Sequence, residues 1–309
     1  MRAALCFVGS SVSSTKMAGL QKLTRSAVRR LLGVPADLSL KQAVRMHFGF
    51  PQGFSLKQWY ASRVAYRSSE ADLSLTAAAA RFVDQSALYL YMHYWSVRSA
   101  PKWLRAHRLY FTQQGRGFGE DAFHAMWFKL LAEYRPRRCL EIGVYRGQVI
   151  SLWLLIAERI GFPIEVHGIS PFSAAGDSTT AAYAKGIDYH ADVITNCEYF
   201  SSKRPHLLRA YSTEPEAIAL INTGGWDLIY IDGSHDEEVV LADYRNCEPN
   251  LSARGLLVFD DSSLYANVRL PRFAFAGWPG PSRIVRDMVA NEMSLVASVG
   301  HNNVFCRIA

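Results

Sequence analysis

The order of apolar and polar positions changes character near residue 138. From there to the carboxyl end, apolar runs of strand length alternate with segments of helical periodicity. Seven runs have the composition of strands; they are "RCLEIG", "IEVHGIS", "HLLRAYS", "WDLIYID", "GLLVFDD", "SLVASVG" and "NVFCRIA". This alternation predicts an α/β fold with a doubly wound, seven-stranded sheet, mostly parallel, that ends in a C-terminal β-hairpin.

The pattern before about residue 125 is helical instead. The clearest examples are "LTRSAVRRLLG" and "SLTAAAARFVDQSALYLYMHYW", and segments that contain proline or glycine interrupt them. A length of 309 residues is enough for about two domains. We therefore predict a helical amino-terminal cap over residues 1–120 and a ligand-binding domain over residues 121–309.

The charge distribution supports the same division. Residues 1–110 hold 16 basic against 4 acidic residues, a balance of +12, and the remainder holds 18 against 23, a balance of −5. A basic segment can contact nucleic acid, an anionic membrane surface or an acidic partner. No nucleic-acid-binding motif accompanies the charge. We expect a solvated face without a specific nucleic-acid partner, and leave open weak peripheral membrane contact and a homo-oligomer.

The cysteines and the apolar runs indicate the compartment. No amino-terminal run is long enough to span a membrane, and the five cysteines form no CxxC pair or disulfide framework. They are Cys6, Cys139, Cys197, Cys247 and Cys306. We expect free thiols in a soluble, cytoplasmic protein.

The turn after the first predicted strand is the first candidate ligand site. In an open sheet of this kind ligands bind beyond the carboxyl ends of the strands. Here the chain reads "LEIGVYRG", in which Gly143 permits a sharp turn and Gly147 permits a closely packed helix. A dinucleotide fingerprint is GxGxxG, whereas Tyr145 stands at its second glycine. A nicotinamide cofactor is therefore disfavoured.

Three carboxylates at two further strand ends form the second candidate. Asp232 follows the fourth strand, and Asp260 and Asp261 follow the fifth. Placing three carboxylates together without a cation has a high electrostatic cost. A set of oxygen ligands favours Mg²⁺ or a similar hard ion. The acids at 236–238 are instead expected to cap the next helix.

A histidine beside these carboxylates is the candidate catalytic residue. His235 lies three residues after Asp232, and an imidazole can accept a hydroxyl proton near neutral pH. The alternative is that His235 is an ordinary loop residue without a catalytic role. His301, in "VGHNNVF", is assigned to the turn of the last hairpin.

The motif ExGxxxG, formed by Glu141, Gly143 and Gly147, resembles the first motif of class I S-adenosylmethionine-dependent methyltransferases, which have a Rossmann-like fold. Within that superfamily "LEIGVYRG" is similar to metal-dependent catechol-type and sugar-modifying O-methyltransferases. "DGSH" resembles the Asp-x-x-His segment of macrolide-sugar enzymes, whose histidine is the proposed base. The resemblance covers residues 138–309 and implies that residues 121–309 are the methyltransferase domain.

The resemblance also implies a set of site residues. Those expected to bind S-adenosylmethionine are Glu141, Gly143, Tyr145, Gly147, Ser170, Asp177, Ser212 and Asp232. Ser170 stands where the family usually has an acid for the ribose, and Asp177 is the candidate to replace that acid. Asp232, Asp260 and Asp261 match the family's metal positions.

The expected function is metal-assisted O-methylation of a small hydroxylated acceptor, such as a sugar, a glycan or a natural product. The alternative keeps the fold without methyl transfer, as a binding protein or an oxygenase resembling cephalosporin hydroxylases. Iron oxygenases of the common type need two histidine ligands. Only His235 is expected at these strand ends, which favours the methyltransferase.

Overall fold

One central sheet organises the part of the chain that the structure describes. The computed structural model describes residues 72–174, 176–178, 185–265 and 274–308, together with Tyr60 and Val64. Its strands are β1 (Arg138–Ile142), β2 (Glu165–Ser170), β3 (His206–Arg209), β4 (Trp226–Ile231), β5 (Leu251–Phe259), β6 (Met293–Val299) and β7 (Asn302–Arg307). They lie in the order β3-β2-β1-β4-β5-β7-β6. The first five strands are parallel, and β7 is antiparallel to both β5 and β6, which confirms the predicted sheet.

Helices connect the strands and precede the sheet. They are α1 (Leu75–Arg81), α2 (Gln85–Arg98), α3 (Lys102–Thr112), α4 (Asp121–Tyr134), α5 (Gln148–Ile160), α6 (Tyr189–Phe200), α7 (Pro215–Ile221), α8 (Glu237–Cys247), α9 (Pro279–Ile284) and α10 (Ala290–Glu292). A π-helical turn at Val285–Val289 joins the last two. None of the described helices has both the length and the apolar character needed to cross a membrane.

The strand order reverses between β1 and β4, which places the ligand crevice. The chain leaves β1 toward β2 on one side and leaves β4 toward β5 on the other, so loops diverge from this point at the carboxyl ends of the strands. β1 is buried after its first residue, as expected for a central parallel strand. Its apolar residues Leu140 and Ile142 join the main core with Ile229 and Ile231 of β4.

The continuous helical pattern over residues 74–95 forms two helices. Ser74 caps α1, and the carboxylate of Asp84 accepts a hydrogen bond from the backbone N–H of Ser86 to start α2. The helices α1 to α3 belong to the same compact unit as the sheet, which spans Tyr60 to Ala309. The boundary predicted at residue 120 stays a prediction. The segment "LTRSAVRRLLG" lies outside the described residues.

The turn of the last hairpin packs against α4. Gly300, in this turn, has φ +61°, and a Cβ atom added to it would lie 2.8 Å from the ring of Phe123. The glycine therefore lets the turn approach α4 closely. Four cysteines fall within the described residues and are free, as predicted, whereas Cys6 lies outside them.

Candidate active site

Two adjoining cavities open at the carboxyl ends of β1 and β4. The larger, about 400 Å³, is called the acidic cavity because its lining includes Glu141, Asp232, Asp260 and Asp261. The smaller, about 290 Å³, is called the loop cavity; the loops after β1 to β4 form it. Both are lined by Gly143, Tyr145, Asp232 and Gly233. A ligand in one cavity can therefore meet a ligand in the other across these residues.

Gly143 is required for the close approach of β1 and β4. It has φ +92°, and its backbone N–H donates to the carbonyl of Ile169 at 2.9 Å. A Cβ atom added to Gly143 would lie 1.9 Å from the backbone oxygen of Asp232. A glycine is therefore needed here because the protein's own backbone approaches it closely, and the predicted contact of Gly143 with a cofactor stays a prediction.

Gly147 has a packing role in this structure. It has φ +78°, and an added Cβ atom would lie 2.9 Å from the side chain of Val193 on α6. Gly147 therefore allows α5 to pack against α6. Among the described residues, it lines neither the acidic cavity nor the loop cavity. Its predicted contact with a cofactor stays a prediction.

The loop cavity brings together three of the polar residues predicted from strand ends. Ser170 ends β2, Ser212 follows β3, and Asp177 reaches the cavity from the loop after β2. Asp177 also holds the loop after β4, because one of its carboxylate oxygens accepts a hydrogen bond from the backbone N–H of His235 at 2.6 Å. No sequence pattern indicates this second contact, which depends on the path of the loop.

The acids predicted to bind a metal line one cavity. Burial, then the charge and hydrogen bond of Asp260, then the charges of Asp261 and Glu141 raise the pKa of Asp232 well above its usual range. Burial and Asp260 also raise the pKa of Asp261, although His235 and His301 oppose that rise. Crowded carboxyl groups of this kind ionise at low cost only beside a cation.

Orphaned atoms support the fit of a cation. Among the described side chains, buried oxygens of Glu141 and Asp260 and a buried ring nitrogen of His301 have no hydrogen-bond partner. Buried polar atoms in folded proteins usually have a partner. The donor set therefore suits a divalent ion.

His235 lies between two carboxylates. Its Nδ1 is 2.8 Å from the carboxylate of Asp177, and its Nε2 is 3.0 Å from that of Asp261. Burial by itself lowers the pKa of His235, but Asp261, Asp177 and Asp260 together outweigh burial and raise it above the ordinary value. The ring therefore has Nδ1 beside Asp177 and Nε2 beside Asp261.

His301 is a site residue that the sequence-based reasoning missed. It lies at the hairpin turn, as expected, but its Nε2 is 3.3 Å from Asp260 and its Nδ1 is 3.6 Å from Asp261. The expectation that only His235 is available at these strand ends is wrong. The hairpin turn folds back over β5, and no pattern near residue 301 indicates this.

Aromatic residues from outside the sheet wall the acidic cavity. α4 and the segment before it contribute Phe118, Phe123, His124 and Trp127, and the segment after β5 contributes Phe275 and Trp278. The ring centroid of Trp278 is 5.6 Å from that of His235. The aromatic density of "AFHAMWF" is the available sequence signal for part of this wall.

Comparison with known sequences finds a family and one curated relative. Residues 140–262 match a family described as a methyltransferase domain. The chain is 30% identical over 139 residues to the uncharacterized protein y4gI of Sinorhizobium fredii (strain NBRC 101917 / NGR234). That match covers 45% of this chain and 14% of y4gI, so the chain spans a small part of its relative.

Comparison with solved structures finds methyltransferases at low identity. The O-methyltransferase from Bacillus cereus in complex with SAH is 16% identical, with a TM-score of 0.46, over 69% of this chain and 96% of that chain. The SAH-bound Podospora anserina methyltransferase PaMTH1 is 15% identical, with a TM-score of 0.45, over 68% and 89%. The fold of this chain rests on its strand order.

Proposed function

We propose, from the match of residues 140–262 to a methyltransferase-domain family, that the chain transfers a methyl group from S-adenosylmethionine to a hydroxyl of a small acceptor. The observation that carries the proposal is the pair of cavities that adjoin at Gly143 and Asp232. Methyl transfer needs a donor and an acceptor in contact, with a group beside them that can take a proton.

The loop cavity is the proposed place of S-adenosylmethionine, whose sulfonium supplies the methyl group. Ser170 and Asp177 offer oxygens for the ribose hydroxyls, and Ser212 lies at the proposed adenine end. Asp232 borders both cavities and places a carboxylate close to the positive sulfur. This arrangement directs the methyl group toward the acidic cavity.

The acidic cavity is the proposed place of the acceptor and of a divalent cation. Asp232, Asp260 and Asp261 would hold the ion, which supplies a lowered pKa and a fixed orientation for the acceptor hydroxyl. His235 would accept the hydroxyl proton while the acceptor oxygen gains the methyl group and the sulfonium becomes a neutral thioether, and the charges of Asp177 and Asp261 would stabilise the imidazolium that forms.

The walls of the acidic cavity favour an acceptor that contains a ring. Phe118, Phe123 and Trp278 offer apolar faces on which a sugar or another cyclic natural product can stack. The polar end at Asp232, Asp260 and Asp261 suits the hydroxyl groups of such a molecule. A hydroxylated cyclic compound is therefore the proposed acceptor class.

Calorimetry tests the placement of the methyl donor. Wild-type protein should bind S-adenosylmethionine, and Ser212→Trp should abolish binding because the indole would fill the loop cavity. Ser294→Trp is the matched control, since Ser294 is exposed on β6 at the other edge of the sheet. Unchanged binding in Ser212→Trp would exclude the loop cavity as the donor site.

A turnover assay tests the reaction itself. The protein is incubated with methyl-labelled S-adenosylmethionine and a panel of sugars, glycosides and phenols, and labelled product is counted. Transfer to a hydroxylated cyclic compound supports the proposal. Donor binding without transfer to any hydroxyl in the panel would favour the alternative of a binding protein.

A further inference from the structure

His301 enters the acidic cavity from the strand pair that is farthest along the chain. It follows β6 and precedes β7, and its side chain is only 11% exposed. Its ring lies between Phe123 and Phe275, with centroid distances of 4.6 Å and 5.5 Å. The two phenyl rings therefore fix the direction in which the imidazole points.

Hydrogen bonds tie the hairpin turn to the segment that carries the acids. The backbone N–H of Ser262 donates to the carbonyl of His301 at 3.0 Å, and the hydroxyl of Ser263 donates to the carbonyl of Gly300 at 3.0 Å. The side-chain amide of Asn303 donates to both serine hydroxyls, at 2.6 Å and 2.9 Å. The position of His301 is thus coupled directly to that of Asp260 and Asp261.

The backbone of Asp261 is held in an unfavourable conformation. It has φ +49°, in the left-handed region that residues with a Cβ atom rarely adopt. Such strain persists where the surrounding structure enforces it, and it is concentrated at functional sites. Here the conformation directs the Asp261 carboxylate toward His235 on one side and His301 on the other.

The spacing of the atoms fits ligands of one ion. One atom each from Asp260, Asp261 and His301 lies within 4.8 Å of the others. Two ligands that share an ion at about 2.1 Å are separated by roughly 3.0 to 3.4 Å in octahedral or tetrahedral geometry. The distance of 3.3 Å between His301 Nε2 and Asp260 Oδ1 lies in this range. That pair makes no hydrogen bond that would explain the burial of Asp260 Oδ1.

We propose that His301 is a ligand of the cation, which makes the site a mixed nitrogen and oxygen site that selects a first-row transition-metal ion over Mg²⁺. This inference rests on the proposed function and changes the ion expected from the carboxylates alone. Mg²⁺ takes oxygen ligands in proteins, whereas imidazole suits ions such as Fe²⁺, Co²⁺ and Zn²⁺. A buried imidazole nitrogen beside two carboxylates therefore favours the second class.

Cation binding, measured without methyl donor or acceptor, tests the inference. Untagged protein is freed of metal by dialysis against a chelator and titrated in a calorimeter with Co²⁺ and separately with Mg²⁺. His301→Ala should weaken Co²⁺ binding by about tenfold or more and Mg²⁺ binding by less than about twofold, because only Co²⁺ gains from the nitrogen ligand. The visible spectrum of bound Co²⁺ should change in the same variant.

A second group of possible ligands requires a matched control. Glu165, His167 and His206 also lie within reach of one another, at the amino ends of β2 and β3 on the opposite edge of the sheet. The titrations are therefore repeated with His206→Ala. Co²⁺ binding and its spectrum at the acidic cavity should persist in His206→Ala, and the loss caused by His301→Ala should remain in the double variant.

Several results would overturn the inference. Equal weakening of both ions in His301→Ala, with a lowered melting temperature, would mean that His301 only supports the hairpin turn. Unchanged Co²⁺ affinity and spectrum would mean that His301 does not touch the ion, and the proposed function would stand with the three carboxylates as ligands. If wild-type protein binds neither ion, both the inference and the metal assistance fail, while donor binding is judged by its own calorimetry.

Discussion

At the scale of single residues, the site is set by how neighbouring charges act on one group. His235 lies within 3.0 Å of two carboxylates, so the charges of Asp177 and Asp261 raise its pKa. Asp243 on α8 is the opposite case. Burial raises the pKa of its carboxyl group, and only the hydroxyl of Ser212 acts to lower that pKa. Each residue allows a specific test.

The first prediction concerns the proton acceptor. His235→Ala should lower the turnover rate by roughly 10²- to 10⁴-fold, the usual contribution of a positioned general base. The affinity for S-adenosylmethionine should hardly change, because the imidazole acts on the acceptor. Steady-state kinetics and donor calorimetry on the same preparation measure both. If the variant keeps most of its turnover, a bound cation alone acidifies the hydroxyl and His235 only shapes the loop.

The second prediction concerns the pH dependence of stability. Burial raises the pKa of Asp243 to about 7 in the folded protein, while the unfolded chain has the ordinary value near 3.9. Between about pH 4 and pH 7 the folded state retains a proton that the unfolded state has lost, so this group makes stability fall as pH rises. The slope is about 1.4 kcal/mol per pH unit at most.

Asp243→Asn removes that proton linkage. The free energy of unfolding of wild-type protein should therefore fall relative to that of the variant from about pH 4 to pH 7. Above pH 7 the two stability curves should be parallel. Urea denaturation at a series of pH values measures the difference. Parallel stability curves over the whole interval would show that Asp243 ionises normally in the folded state.

At the scale of elements, glycines decide how closely turns approach their neighbours. Gly143 and Gly161 both have positive φ, yet they differ in their surroundings. A Cβ atom at Gly143 would meet the backbone of Asp232 at 1.9 Å, whereas one at Gly161 would meet nothing within 4 Å. The two positions therefore separate backbone strain from steric conflict.

The third prediction uses this pair. Gly161→Ala should lower the free energy of unfolding by about 1 to 2 kcal/mol, the cost of a left-handed conformation for a residue with a Cβ atom. Gly143→Ala should lower it by roughly 1 to 3 kcal/mol more, because the turn after β1 must move away from β4. Urea denaturation compares the variants. Equal decreases in the free energy of unfolding for the two variants would mean that the turn after β1 relaxes freely. A larger side chain at Gly143 would then affect donor binding without a further loss of stability.

At the scale of the whole molecule, distant segments meet in one cavity. α4, the loop after β4, the end of β5 and the hairpin turn all line the acidic cavity. A bound ion would connect them, and a ligand that binds only the folded state stabilises it.

The fourth prediction follows from that connection. A chelator should abolish turnover, and an added divalent ion should restore it, because the ion orients and acidifies the acceptor hydroxyl. The same ion should raise the melting temperature of wild-type protein but not that of Asp260→Asn, which lacks a charged ligand. Turnover assays and thermal unfolding measure the two effects. Turnover that resists the chelator would assign the acids another role.

The sequence by itself determined the sheet and most strand ends. Alternating apolar runs predict parallel strands because both faces of such strands are buried, and all seven strands were predicted within a few residues. Since parallel strands end at one edge, Asp232, Asp260 and Asp261 could be placed together without coordinates.

Only the tertiary structure decided what faces those ends. His301 reaches Asp260 because the hairpin turn folds back over β5, and Asp177 reaches His235 because two loops cross. Gly147 faces Val193 because of the way α5 packs on α6. These contacts join residues far apart in the chain. Local periodicity reports the burial of an element, and the partner of a loop residue depends on packing between elements that no local pattern encodes.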